Sequence, residues 1–181
     1  MIDLKRRGLP NAIIAPDGGP VLLDTDFRIW INFPERIQKL REDPTLYEDL
    51  FMTEVPILTQ EVADQLQDFY YRKPEVPRDT GGHEDLLDYD LDADYIYAAF
   101  MQAYKIDLVD ADLHWHKFLA LLTALPDTTT MSKIMGYRSY EGSSKDPGHK
   151  DYMKLKQMWS LPVKHTEEEQ KMIDDFNELF G

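Results

Sequence analysis

His114 and His116 flank Trp115, and Asp110 and Asp112 lie just upstream. Imidazole nitrogens and carboxylate oxygens are ligands for divalent metals, so this is the first place where the chain could hold an ion and activate a water. The spacing argues against it. Residues i and i+2 of one helix point to different faces, so a short helix does not converge such a set on one ion. The pair reads instead as histidines at the polar edges of an amphipathic helix. A second concentration of carboxylates, Glu84, Asp85, Asp88, Asp90, Asp92 and Asp94, has the ligand type of a calcium loop. It lacks the glycine and the closing glutamate of an EF-hand. It reads as a solvated loop that caps the next helix, with a docking strip for a basic partner as the second reading. Pro16-Asp17-Gly18-Gly19 has no Gly-Lys-Ser/Thr ending and is not a phosphate loop. Ser143, Ser144 and Ser160 sit in no Gly-x-Ser-x-Gly motif. The chain has no cysteine, which removes disulfides, thiolate nucleophiles and Cys-type zinc sites. No catalytic, cofactor or metal residue is assigned, no cofactor is expected, and the expectation is a protein that binds rather than catalyses.

The binding candidates are aromatic and apolar. Trp30, Trp115, Phe118 and Tyr137 are the large anchors, with Arg138 beside Tyr137. Arg138 and Lys133 could form a small basic patch; the alternative is that Arg138 caps helix carbonyls or pairs with an acidic neighbour. Met172, Ile173, Phe176 and Phe180 form the apolar face of a C-terminal amphipathic helix. Its start is marked by the capping box Thr166-Glu167-Glu168-Glu169.

The elements that position these residues are mainly helical, with a small N-terminal β-hairpin. Ala12-Ile13-Ile14-Ala15 and Val21-Leu22-Leu23 flank a Pro/Asp/Gly turn. An isolated hairpin is marginal in water, so it packs on the rest of the chain or pairs with a neighbouring subunit. Asp24 or Thr25 caps a helix carrying Phe27, Trp30, Ile31, Ile37 and Leu40, which Pro34 either kinks or splits. Leu46, Leu50 and Phe51 suggest one more helical turn. Thr59 caps a helix with Val62, Leu66, Phe69 and Tyr70 on one face. Residues 75–91 form an acidic linker rich in Pro and Gly, which divides an N-terminal part, 1–74, from a helical block, 92–162. In that block Tyr95, Ile96, Ala99 and Phe100 mark one helix, ended by Lys105-Ile106-Asp107. Asp110 is expected to cap the next, and Thr128 to start a short helix with Met131 and Ile134. A further helix holds Tyr152, Met153, Leu155, Met158 and Trp159, and residues 163–181 form the last.

Charge narrows the partners. The chain is 181 residues long, with 20 Lys+Arg against 34 Asp+Glu and a formal net charge of -14. Such a surface repels phosphate backbones and anionic membranes while favouring solubility and basic partners. The N-terminus lacks the apolar run of a signal peptide, and no stretch is long and apolar enough to span a bilayer, so an intracellular location is expected.

Two stretches carry a resemblance. One is Asp24-Thr25-Asp26-Phe27-Arg28-Ile29-Trp30-Ile31. The other is an ordered series: Asp92-Ala93-Asp94-Tyr95-Ile96-Tyr97-Ala98-Ala99-Phe100, Ile106-Asp107-Leu108, Leu113-His114-Trp115-His116-Lys117-Phe118, Leu125-Pro126 and Lys133-Ile134-Met135-Gly136-Tyr137-Arg138-Ser139. Together they closely resemble the bacteriophage gp-fifteen family of siphophages and prophages of Gram-positive bacteria, from about Leu9 to Pro162. The resemblance implies a tail assembly chaperone, encoded between the major tail protein and the tape-measure protein. It would coat the largely helical tape-measure protein, keep it soluble in the host cell cytoplasm, and be absent from the finished virion. It also implies a homo-oligomer, with the major tail tube protein and a frameshifted longer form of the chain as further partners, and no nucleic acid or membrane. A structural tail or head–tail adaptor retained in the virion is the alternative. The sequence departs from the family pattern at His116, where many members have a second aromatic.

Overall fold

The computed structural model describes residues 7–39, 44–71 and 86–162. The helix expected over 163–181, and with it Met172, Ile173, Phe176 and Phe180, lies outside the described residues, as does most of the acidic linker. What is described is mainly helical with one small hairpin. The chain divides into two compact units, Met1–Gly81 with Tyr89–Lys133, and Gly82–Asp88 with Ile134–Gly181.

In the first unit, strands β1 (Ala12–Ile14) and β2 (Pro20–Leu22) pair antiparallel, with Ile13 opposite Val21. The turn is set by Gly18 at φ 87° and by the Asp17 carboxylate, which accepts from the Gly19 N–H at 2.9 Å. Ile13 and Val21 point inward and are buried; Ile14 and Leu22 point outward. This alternation gives the hairpin one core face and one exposed face.

Helix α1 (Phe27–Ile31) begins one residue or more later than the cap expected at Asp24 or Thr25. Asp26 is the cap, and its carboxylate accepts from the Arg28 N–H at 2.9 Å. Pro34 does not kink a long helix. The chain breaks at Asn32, whose carbonyl then accepts the Arg36 N–H that starts α2 (Phe33–Lys39). Pro34 falls in the first turn of α2, where a missing N–H costs no helix bond. A 3₁₀ helix (Pro44–Leu50) follows. Thr59 caps α3 (Gln60–Tyr71) as expected, its hydroxyl accepting from the Val62 N–H at 3.3 Å. Helix α4 (Ala93–Tyr104) ends at Lys105 in the left-handed conformation.

Asp110 does not cap the next helix. The turn there is closed by the Ala111 N–H donating to the Asp107 carbonyl, and the cap of α5 (Trp115–Thr123) is His114, whose Nδ1 accepts from the His116 N–H at 3.0 Å. The physical reason lies in the backbone. His114 faces Asp26 in an isolated antiparallel bridge, with the Phe27 N–H donating to the Leu113 carbonyl and the Trp115 N–H to the Thr25 carbonyl. Free N–H groups at the starts of α1 and α5 thus find carbonyl partners across the bridge. Helix α6 (Thr130–Arg138) starts two residues later than expected, with Thr129 rather than Thr128 against its first turn.

The core of the first unit is aromatic. Phe118 stacks on Phe27 at 4.7 Å and on Phe100 at 5.3 Å. Trp115 stacks on Tyr70 at 5.3 Å, and Trp30 meets Phe69 at 4.3 Å. Each such pair adds about 0.5–1.5 kcal/mol beyond its burial.

In the second unit, α7 (His149–Met158) runs beside the end of α6. Tyr152 stacks on Tyr140 at 4.8 Å, and the Lys156 ammonium donates to the Tyr140 carbonyl at 2.8 Å. A Cβ at Gly142 would meet the outer end of the Tyr140 ring, so a larger residue there would displace that ring from its stack on Tyr152.

Candidate functional site

The structure places the sequence candidates in two different settings. Trp30, Trp115 and Phe118 are at most 1% exposed. All three are core residues, which corrects their reading as direct partner contacts. Both indoles have their N–H satisfied internally, Trp30 by the Asp24 carbonyl at 2.6 Å and Trp115 by the Tyr70 carbonyl at 3.0 Å. Tyr137 and Arg138 are half-buried. The Arg138 guanidinium donates from Nε to the Trp159 carbonyl at 2.6 Å and from Nη1 to the Leu86 carbonyl at 2.9 Å. Arg138 therefore takes the capping role: it satisfies a carbonyl just past the end of α7.

The histidine pair does not diverge as i and i+2 positions of one helix would, because His114 precedes the helix as its cap. The two rings come within 5.0 Å. Both nitrogens of His114 and Nε2 of His116 are nonetheless engaged with the backbone. His114 Nδ1 accepts an N–H, so its Nε2 carries the proton and donates to the Pro10 carbonyl at 2.9 Å. His116 Nε2 donates to the Phe69 carbonyl at 2.8 Å. With Trp115 on the Tyr70 carbonyl, the Trp-His pair donates to two carbonyls of the last turn of α3. The His116 ring also lies on Phe69 at 4.5 Å, so it fills an aromatic slot while adding a donor. Among the described residues, no group of three or more His, Asp or Glu is arranged to hold a metal.

Two features were not legible as sites. One is a groove of about 350 Å³ in the first unit, with Phe27, Ile31, Tyr97, Val109 and Phe118 in its lining and Arg28 at its wall. Arg28 is fully committed. It donates to the carbonyls of Leu108 at 2.6 Å, Val109 at 2.7 Å and Ala111 at 3.2 Å, pairs with Asp26 at 2.8 Å, and lies over the Phe27 ring at 4.6 Å. One guanidinium fork thereby fastens the loop after α4 to the start of α1.

The other feature is the outward face of the hairpin. Met52 extends it: its N–H donates to the Leu22 carbonyl at 3.0 Å, next to the Leu23–Phe51 bridge. Ile14, Leu22 and Met52 are 49%, 41% and 70% exposed. Val55, Ile57 and Leu58, on the stretch leading into α3, are exposed as well. Periodicity gives no warning of this, because residues 52–58 follow neither a helical nor an alternating pattern.

Burial acts on three tyrosines. It pushes the Tyr47 phenol up to about 12, and it also raises Tyr104 and Tyr140, the last helped by the nearby Asp146 carboxylate and Tyr152. No helix among the described residues is long and apolar enough to cross a membrane.

No curated protein and no solved structure matches the chain. The family model described as Bacteriophage Gp15 protein matches residues 17–161. That span is most of the chain, which therefore belongs to this family, and membership supports a role in phage structure or assembly.

Proposed function

We propose that the chain is a tail assembly chaperone that binds the tape-measure protein in the host cytoplasm and keeps it soluble until the tail tube forms around it. The observation that carries the reading is the family match over residues 17–161. Two physical properties support it. The net charge of -14 keeps a many-copy complex soluble. The exposed apolar face over the hairpin supplies contact area for a helical client. Self-association and contacts with the tail tube protein, or with a frameshifted longer form of the chain, belong to the same proposal.

The test is an inventory by quantitative mass spectrometry of infected-cell lysate and of purified virions. A chaperone co-precipitates with the tape-measure protein from lysate and is absent from virions. Presence in virions in fixed copy number overturns the reading in favour of a structural tail or head–tail adaptor protein.

A further inference from the structure

The hairpin shows how a partner would be held. A strand adds to a sheet edge only where a row of N–H and C=O groups is free. Here each outward edge is capped at a central position. On β1, the Gln65 side chain accepts from the Ile14 N–H at 2.8 Å and donates to the Ile14 carbonyl at 2.9 Å, imitating a neighbouring strand. On β2, Pro20 has no N–H, the Leu22 N–H donates to the Thr53 hydroxyl at 3.3 Å, and the Leu22 carbonyl accepts from Met52. The hairpin therefore offers a face of side chains rather than an edge.

That face is apolar, and the two segments that carry it are rich in carboxylates, of which Asp26 pairs with Arg28 and Asp49 with Arg36. Ile14, Leu22 and Met52 share it by register, because Leu22 and Met52 are the exposed neighbours of the bridged, buried pair Leu23 and Phe51. Residues 53–58 are tied nearby at both ends, by Thr53 on β2 and by α3, whose Gln65 holds β1. They add Val55, Ile57 and Leu58. Residues 8–27 contain three aspartates and residues 44–71 six carboxylates, and neither segment contains Lys, Arg or His. An apolar face set among carboxylates favours a partner whose apolar stripe is edged with cations. We infer that the outward hairpin face and residues 52–58 dock an amphipathic helix whose polar edge carries Lys or Arg. This deepens the chaperone reading, on which it rests only for identifying the helix as a segment of the tape-measure protein.

The absence of cysteine allows a single reporter. Met52→Cys, carrying an environment-sensitive fluorophore, is titrated with a synthetic Leu/Lys amphipathic helix and with its Leu/Glu counterpart; Lys154→Cys in α7 is the control position. The expected result is a blue shift at position 52 with the Lys helix, at least tenfold weaker with the Glu helix, and none at position 154. The variant Val55→Ser/Ile57→Ser, made in the labelled Met52→Cys chain, changes two exposed side chains without adding charge, so it should fold like the parent and weaken Lys-helix binding at least tenfold. Equal binding of both helices, or unchanged binding by the double variant, overturns the inference. In parallel, the parent and the double variant are each co-expressed with the tape-measure protein. If the parent leaves the tape measure insoluble while position 52 still responds to the Lys helix, the chaperone reading fails and the docking surface stands. If the parent solubilises it and the double variant does so equally, the docking surface fails and the chaperone reading stands.

Discussion

Replacing Arg28 by alanine should loosen the loop that follows α4 without unfolding the core. The guanidinium makes three hydrogen bonds to carbonyls, of which those to Leu108 and Val109 are the shortest, and one ion pair with Asp26. A hydrogen bond to a charged group contributes about 1.5–3 kcal/mol when its partner stays buried. The Arg28 side chain is 41% exposed, so water replaces part of what is lost, and the ion pair itself adds little. The net cost should therefore be about 2–3 kcal/mol, well below the sum over the bonds. For a chain of this size that lowers the melting temperature by roughly 4–12 °C. Arg28→Lys discriminates the cause. A lysine keeps the charge beside Asp26 but presents a point donor rather than a fork, so it should recover less than half of the loss. The assay is thermal unfolding by circular dichroism, with amide hydrogen exchange at Val109 and Ala111. Both amides bond to Asp107 within the fastened loop and should exchange faster in both variants. If alanine and lysine variants both melt within about 1 °C of the parent, the loop is held by something other than the fork, and this account of the groove wall is wrong.

Three further predictions follow from single contacts. Trp115→Phe keeps a ring in the stack but removes the buried hydrogen bond from the indole to the Tyr70 carbonyl, and denaturant titration should find it destabilised by about 1 kcal/mol or more. Gln65→Ala frees both backbone groups of Ile14, so light scattering should detect concentration-dependent association beyond whatever the parent shows. Tyr47→Phe should be neutral or stabilising at pH 7, because the buried hydroxyl has no hydrogen-bond partner. Its effect should appear at high pH. The Tyr47 phenol is raised from 10.0 to about 12 in the folded chain, so the unfolded state releases this proton first. Its contribution is present in full below pH 10 and is lost as pH rises toward 12. The phenylalanine variant should lack that part of the decline in a urea-unfolding series across this range.

Local signals were the most legible part of the chain. The Pro/Asp/Gly turn between two apolar runs pointed to the hairpin, and Thr59 to the start of α3, because each depends on chemistry within a few residues. Asp110 misled for the complementary reason. As a cap it is a better residue type than histidine, but the start of α5 is fixed by the backbone bridge to Asp26, a contact between positions far apart in sequence. The aromatic anchors were read as candidate partner contacts, and three of them are core. Trp30, Trp115 and Phe118 have the composition of a binding hot spot, and only the packing tells such a residue from a core one. Arg28 and the strip at 52–58 were overlooked. The first acts on carbonyls some eighty residues away. The second is apolar without periodicity, so it resembles any loop until the hairpin beneath it is in place.

The central claim is tested most directly by co-expressing the chain with the tape-measure protein of the same phage and weighing the soluble product by size-exclusion chromatography with light scattering. The account predicts a soluble complex holding many copies of this chain per tape-measure protein, where the tape-measure protein alone precipitates. A tape-measure protein that stays insoluble while this chain elutes alone would contradict it.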